Sequence, residues 1–448
     1  MLTLDIELPA NDFESYFDPK SLVNLYLQKV RKSSAVGKDG VRKEKFASIL
    51  HLEAELIAKK CLEETYGFTC YKQKLIAKGA DQFPRLISIP TIRDRLTLRA
   101  LNEYLVANND DAKPSLPHRY IREITSTLDK GLIDHSFIRI DVKNFFPSID
   151  HELLLQKLDK RKIDPKAISL VRKAIQNPTG ASKTQIESTQ GIPQGLSIST
   201  MLSSIFLNEL DVKYTKKYAY WRYVDDILVV CPSHKSSRIF KELAEDLRSI
   251  GLEEHPLKDG SKSDIRPLKK AIDYLGYTLS PGQTKVRKSS YNRMFENLMK
   301  VFTSFKYTRK SEKFIFRLNL KIAGCIFEGK RKGWLFFFSQ TNDLNQLGRL
   351  DYFVQSMCRE YAPEIDPKRI KKFVRAWHEI RQNFKKTNYF QKFDDYDYSD
   401  KIDFVSLMTG RHKSDLEILD LEDFEVLYRR VLDKEIEVLE QDILDSFS

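Results

Sequence analysis

Two carboxylates stand side by side in Trp221-Arg222-Tyr223-Val224-Asp225-Asp226-Ile227-Leu228-Val229-Val230. Apolar and β-branched residues flank them, the pattern of a strand, a tight acidic turn and a second strand. Such a hairpin buries its arms and crowds two like charges at its tip, which opposes ionisation of both. A hard divalent cation removes that cost, because carboxylate oxygens are the ligands such ions take. Taken alone, an Asp-Asp pair is equally a solvated turn. The stretches around it carry more weight. Upstream, Phe137-Ile138-Arg139-Ile140-Asp141 is a short apolar strand ending in a third carboxylate, with Phe146 five positions further on. Between the two lies Gln190-Gly191-Ile192-Pro193-Gln194-Gly195-Leu196-Ser197, a Gly/Pro/Gln loop that opens an apolar helix.

Strand-end Asp, Gly/Pro/Gln loop and Tyr-x-Asp-Asp hairpin, in that order, resemble the palm of a reverse transcriptase. The resemblance implies a two-ion site: Asp141, Asp225 and Asp226, with the carbonyl of Val142, hold two Mg²⁺ (Mn²⁺ able to substitute) that clamp an in-line phosphoryl displacement. It also implies that Phe146 lies under the nucleotide sugar and excludes a 2′-hydroxyl, Phe145 being the alternative if the register differs by one. Gln194 and Gly195 would support the templating pair and the incoming nucleotide. Lys258, in Glu253-Glu254-His255-Pro256-Leu257-Lys258, matches the lysine that gives a proton to the leaving pyrophosphate. His255 stands where the family usually has Asn. Tyr274-Leu275-Gly276-Tyr277 resembles the primer grip, although a plain core hairpin accounts for the same residues.

The elements that must position these groups are legible upstream. Tyr71 to Pro90 reads as two strands around a loop, with Lys78 and Arg85 as cations to hold a triphosphate. Pro90-Thr91-Ile92-Arg93-Asp94-Arg95 opens a helix capped by Thr91, and its basic residues suit a template contact or an exposed face. Gly37-Lys38-Asp39-Gly40 is a turn that resembles the N-terminal segment of bacterial reverse transcriptases. From residue 289 the pattern is helical, with Lys and Arg interleaved with Phe, Tyr and Trp, as suits a thumb on a phosphate backbone. The last stripe, Phe424, Tyr428, Leu432, Ile436, Leu439 and Ile443, is either core or an oligomer face.

With 448 residues, 41% hydrophobic and 31% charged, the chain has the composition of a globular protein of several lobes. No run reaches the ~18–20 apolar residues of a membrane span. Met1 to Ala10 has no basic run, so no secretory signal is expected, and the five scattered cysteines suit reduced thiols rather than a zinc site or disulfides. These features predict a cytoplasmic protein. The net charge of +12 is uneven: residues 391–448 hold 17 Asp and Glu against 7 Lys and Arg, a balance of −10, which leaves +22 on the first 390. A body that basic attracts a polyanion.

The expected class is α+β, a right-hand polymerase fold with fingers, an RRM-like palm and an α-helical thumb and C-terminal extension. The expected divisions are an N-terminal segment and fingers over 1–135, palm over 136–285, basic helical thumb over 286–390 and acidic helical extension over 391–448. A stand-alone palm of this kind most resembles bacterial defence-associated reverse transcriptases, of the abortive-infection and retron-like, non-intron group. The resemblance implies an RNA-directed DNA polymerase with dNTPs, a structured non-coding RNA template and a DNA product, no membrane, and self-association or a second defence protein (another reverse transcriptase included) as partner. A retron-type enzyme making RNA-linked DNA and a catalytically silent nucleic-acid scaffold are the alternatives.

Overall fold

The computed structural model describes residues 12–31, 33, 35–77, 83–180 and 188–444. It divides into two compact units, one drawn from Met1–Ser115 and Asp134–Pro267, the other from Leu116–Ile133 and Leu268–Ser448. The chain passes to the second unit for residues 116–133 and again after Pro267, while the sequence reading sets its palm boundary at 285. The hairpins beyond Leu268 are hydrogen-bonded to the helices that follow them.

In the first unit, β1 (Lys72–Ile76) and β2 (Arg85–Ile89) form an antiparallel hairpin. Lys78 lies between them, outside the described residues. The main sheet contains β3 (His135–Lys143), β4 (Ala219–Tyr223), β5 (Asp226–Pro232), β6 (Glu253–Glu254) and β7 (Asp264–Pro267). Its order is β4-β5-β3-β6, with β7 also paired to β3, and every pairing is antiparallel. The pleat sends alternate side chains to opposite faces. Ile138, Ile140 and Val142 of β3 and Ile227, Val229 and Cys231 of β5 enter the hydrophobic core. The same core takes Leu202 and Phe206 of the helix Ser199–Thr215, Leu243 and Leu247 of Ser236–Ser249, and Leu101 of Ile92–Ala107. Arg139, Asp141 and Asp226 are thereby left on the other face.

The Pro-Thr-x-x-Asp phrase works as a buried cap. The Asp94 N–H donates to Thr91 Oγ1 (3.1 Å), and the Asp94 carboxylate accepts from Thr91 (2.7 Å), Tyr66 (2.8 Å) and the Thr69 N–H (3.2 Å). The Gly37 turn rests on this cap: a Cβ at residue 37 would stand 2.6 Å from the Thr91 Cα, so only glycine allows the approach.

In the second unit, β8 (Ile272–Tyr274), β9 (Tyr277–Ser280) and β10 (Gln283–Val286) form a meander in the order β10-β9-β8. Leu275 and Gly276 make the two-residue turn between β8 and β9, both at positive φ (48° and 81°). A small sheet of β11 (Cys325–Phe327), β12 (Lys330–Lys332) and β13 (Gln391–Lys392) and the helices Lys288–Thr308, Ser311–Ala323, Leu344–Tyr361, Phe373–Gln382, Tyr398–Thr409 and Leu421–Leu444 complete it. The long last helix is core: Phe424, Tyr428, Leu432, Ile436 and Leu439 pack with Ile402, Phe404, Val405 and Met408. Its acids turn to basic neighbours, Glu435 to Arg317, Glu425 to Lys401 and Glu440 to Lys332. The acidic stretch after 391 therefore belongs to the body of this unit, because its apolar stripe is the longest partner available to the helices before it.

Gly276→Ala should destabilise the chain by about 1–3 kcal/mol, since its Cβ would stand 3.1 Å from the Phe338 ring at a positive φ. Gly282→Ala, at φ 73° with nothing within 4 Å of its Cβ, should lose only about 1 kcal/mol. Unfolding midpoints by circular dichroism compare the two, and equal losses would discount the ring contact.

Candidate active site

The register of β3 on β5 places Asp141 opposite Asp226. Asp225 sits in the two-residue turn between β4 and β5, where Tyr223 pairs with Asp226. The Val142 N–H donates to the Asp225 carbonyl (3.0 Å). In a strand the N–H and C=O of one residue point to the same edge, so the Val142 peptide faces this turn. Val224, the other turn residue, is held at φ 58°, a costly conformation for a β-branched side chain. Arg222 holds it there: Nη1 donates to the Val224 carbonyl (2.9 Å), while Nε and Nη2 grip Asp211 at 2.8 and 2.5 Å. Asp211 belongs to the helix Ser199–Thr215, so the helix opened by the Gly/Pro/Gln loop anchors the acidic turn.

Each carboxylate has a different electrostatic setting. Arg139 sends a two-pronged fork to Asp226 (2.9 and 2.8 Å). Burial nevertheless raises the Asp226 carboxyl above the usual range, against the pull of Arg139. Asp141 meets His255 Nε2 at 3.2 Å and Lys262 Nζ at 3.5 Å, and its backbone carbonyl accepts from the His255 N–H (2.8 Å). Burial lowers the His255 imidazole. The Asp225 carboxyl is pushed up to about 6, first by burial, then by the charges of Asp141 and Asp226.

Among the described residues no group of three or more His, Cys, Asp or Glu is placed so as to hold a metal ion. The donor chemistry nevertheless fits a hard cation. Asp141 and Asp226 stand opposite each other on paired strands with Asp225 on the adjoining turn, and the repulsion felt at Asp225 is what a divalent ion relieves.

A cavity of about 440 Å³ in the same unit brings together Arg85, Phe146, Gln194 and Gly195. Asn144, at φ 44°, ends the strand and starts the short helix Phe145–Ser148. That break sends Phe145 into the core and Phe146 to the cavity wall. The Gln194 carbonyl accepts from the Ser88 N–H (2.7 Å), which ties the loop to β2. A Cβ on Gly195 would stand 2.8 Å from both Ile87 Cγ2 and the Ser88 carbonyl oxygen, so the approach of loop to strand requires glycine.

Sequence reading missed several of these residues. Lys29, Arg95 and Arg99 line the same cavity; the two arginines belong to the basic helix that the sequence offered as a template contact or an exposed face, but nothing local pointed to Lys29. Arg139 meets Asp226 through the pairing of β3 with β5, and His255 and Lys262 meet Asp141 through the long-range pairing of β3 with β6 and β7. Lys258 is exposed, and its carbonyl accepts from Ser261 in the loop; the lysine at Asp141 is Lys262. Tyr274, Leu275, Gly276 and Tyr277 are all buried within the second unit, with Tyr277 donating to the Phe337 carbonyl (2.7 Å). The hairpin is core there, as its aromatic side chains favour.

Residues 76–279 match the family described as reverse transcriptase (RNA-dependent DNA polymerase). They form a reverse transcriptase domain. It spans β2, the helix Ile92–Ala107 and the whole main sheet, and extends into the first hairpins of the second unit. The chain is 26% identical over 193 residues to Protein YkfC of Escherichia coli K12, a stretch covering 41% of this chain. It thus spans about half the length of that curated relative, 50%. Among solved structures, an apo telomerase of Candida tropicalis truncated from its C-terminal domain aligns at 14% identity with a TM-score of 0.37, covering 52% of this chain and 59% of that one. A telomerase of Candida albicans in complex with the TWJ fragment of telomeric RNA aligns at 14% identity with a TM-score of 0.44, covering 90% and 66%.

Arg222→Ala should cost the domain about 2–3 kcal/mol, because it leaves the Asp211 carboxylate short of its partner and frees the strained Val224 turn. Denaturant unfolding of wild type and variant measures it. A loss below about 0.5 kcal/mol, the size of an ordinary surface change, would mean the turn holds itself.

Proposed function

We propose that the chain is an RNA-directed DNA polymerase that extends a primer with dNTPs on an RNA template. The observation that carries this is the pairing of Asp141 with Asp226, with Asp225 at the adjoining turn, in a domain whose basic cavity presents Phe146. Asp141, Asp225 and Asp226, with the Val142 carbonyl, would hold two Mg²⁺, with Mn²⁺ able to substitute. When bound, the ions supply charge stabilisation at the attacking and leaving oxygens of an in-line displacement. The chain's own residues do the rest. Arg85 and Lys78 hold the triphosphate. Gln194 and Gly195 shape the floor under the templating pair, with the glycine letting backbone approach backbone. Arg139 and His255, which occupy carboxylate oxygens in this structure, keep the strand-end charges from repelling the sheet apart. Lys262 is better placed than Lys258 to give a proton to a departing pyrophosphate, its ammonium being 3.5 Å from Asp141.

The finer reading is a bacterial antiphage-defence enzyme, acting in the cytoplasm on a structured non-coding RNA, alone, self-associated or beside a second defence protein such as another reverse transcriptase. It is supported by the resemblance of the motif set and by the bacterial relative. Among the described residues no helix is long and apolar enough to cross a membrane. The silent-scaffold alternative draws on one observation, the ion pairs that already engage Asp226 and Asp141. Sequencing the nucleic acid that copurifies with the chain identifies the template, and DNA covalently joined to RNA would favour the retron-type reading.

Replacing Asp225 and Asp226 together with Ala should reduce Mg²⁺-dependent dNTP incorporation by about a thousandfold or more while the chain stays folded. Retained polymerisation in that variant would reject the site, and no incorporation by wild type on any template would favour the scaffold.

Phe146→Ala should lower the preference for dNTP over rNTP by about 10–100-fold, since the ring offers a 2′-hydroxyl neither room nor a hydrogen bond. Single-nucleotide extension with both substrates measures the ratio. Phe145→Ala, a core change, should lose stability and leave the ratio alone; the reverse pattern would shift the gate by one residue.

A further inference from the structure

Several cations of the second unit are held in ion pairs. Arg317, Arg369, Lys401 and Arg429 are paired with Glu435, Glu312, Glu425 and Glu328. Arg359, Lys371 and Lys372 are in no ion pair among the described residues, yet they line one cavity of about 160 Å³. The cavity lies between the helix Leu344–Tyr361 and the segment that leads into Phe373–Gln382, with Val354, Cys358 and Ile370 as an apolar floor.

Lys371 is held in place from both sides. Its N–H donates to Asn319 Oδ1 (2.7 Å), and its ammonium lies 5.3 Å from the centre of the Tyr389 ring. Burial lowers this amine to about 8, with no charged group offsetting it. The one acid at the cavity, Asp351, is already used. Its carboxylate accepts from the Phe373 and Val374 N–H groups (2.6 and 3.2 Å) and starts that helix. Asp351 also feels the charge of Lys372, so one carboxylate, already bonded to two backbone N–H groups, faces three cations, and a desolvated ammonium in that setting gains from an anion.

The size of the cavity narrows the ligand. It is well below the ~300 Å³ of pockets that enclose a small organic molecule, so it takes a group, not a whole nucleotide. The surroundings narrow it further. Residues 366–386 hold 8 Lys and Arg against 2 Asp and Glu. Tyr352, 68% exposed, shares a helix face with Gln355 and Arg359 at i, i+3, i+7, a platform on which a base can stack next to the cavity.

We propose that this cavity binds a backbone phosphate of a single-stranded polynucleotide through Lys371, Lys372 and Arg359, with the adjoining base on Tyr352. The choice of a polynucleotide rests on the reading of the chain as a polymerase; the cavity itself does not. The site lies outside residues 76–279, within the second unit.

The test is binding of a fluorescent single-stranded RNA oligonucleotide in EDTA, where no polymerisation occurs. Lys371→Ala should weaken binding about tenfold and reduce the slope of log affinity against log salt by about one, with Lys371→Arg restoring both. Tyr352→Ala should weaken binding at an unchanged salt slope. Arg359→Gln, on an exposed side chain, gives the same reading as Lys371→Ala if that variant folds poorly. Unchanged affinity and slope in Lys371→Ala and Arg359→Gln would overturn the proposal. Acetylation of the wild-type chain read by mass spectrometry should show Lys371 protected by the oligonucleotide. Protection by inorganic phosphate but not by the oligonucleotide would overturn the polynucleotide assignment. A chain that binds RNA through Lys371 yet never incorporates dNTP would reject the proposed function and leave this site standing.

Discussion

The domain depends on one antiparallel pairing, β3 on β5, that sets two carboxylates opposite each other and a third at the next turn. Like charges brought together in a half-buried place are unfavourable, and the surrounding structure is arranged to tolerate them. The core face of the same strands, Ile138, Ile140, Val142, Ile227 and Val229, supplies the burial that holds the pairing. The opposing face carries the cost and the groups that moderate it, the cations Arg139 and Lys262 and the imidazole of His255.

A second layer of structure keeps the acidic turn in its strained form. Val224 would relax out of positive φ if left alone. The Arg222–Asp211 pair ties its carbonyl to a long helix, and that helix begins at the Gly/Pro/Gln loop whose Gly195 presses on β2. The carboxylates, the loop and the β1–β2 hairpin are thus connected within one unit.

The second unit treats charge differently. Its last helix buries an apolar stripe and turns its acids to basic neighbours, so the acidic end of the chain neutralises particular cations of the same body. Around Lys371 three of its cations, Arg359, Lys371 and Lys372, are instead gathered at one cavity.

The local patterns in the chain determined a good deal. Asp141, Asp225 and Asp226 were legible because strand and turn signals are short-range and their order along the chain is distinctive. The Thr91 cap and the helices with apolar stripes were legible for the same reason. What the tertiary structure alone decided is which groups meet across long separations. His255 and Lys262 reach Asp141 because β6 and β7 pair with β3, and no local pattern encodes that register. Which of Phe145 and Phe146 lines the cavity turned on a single positive φ at Asn144. The hairpin at Tyr274–Tyr277 and the stripe of the last helix had two readings each in sequence. Both became core because burial depends on what packs against a face, and a face carries no mark of its partner.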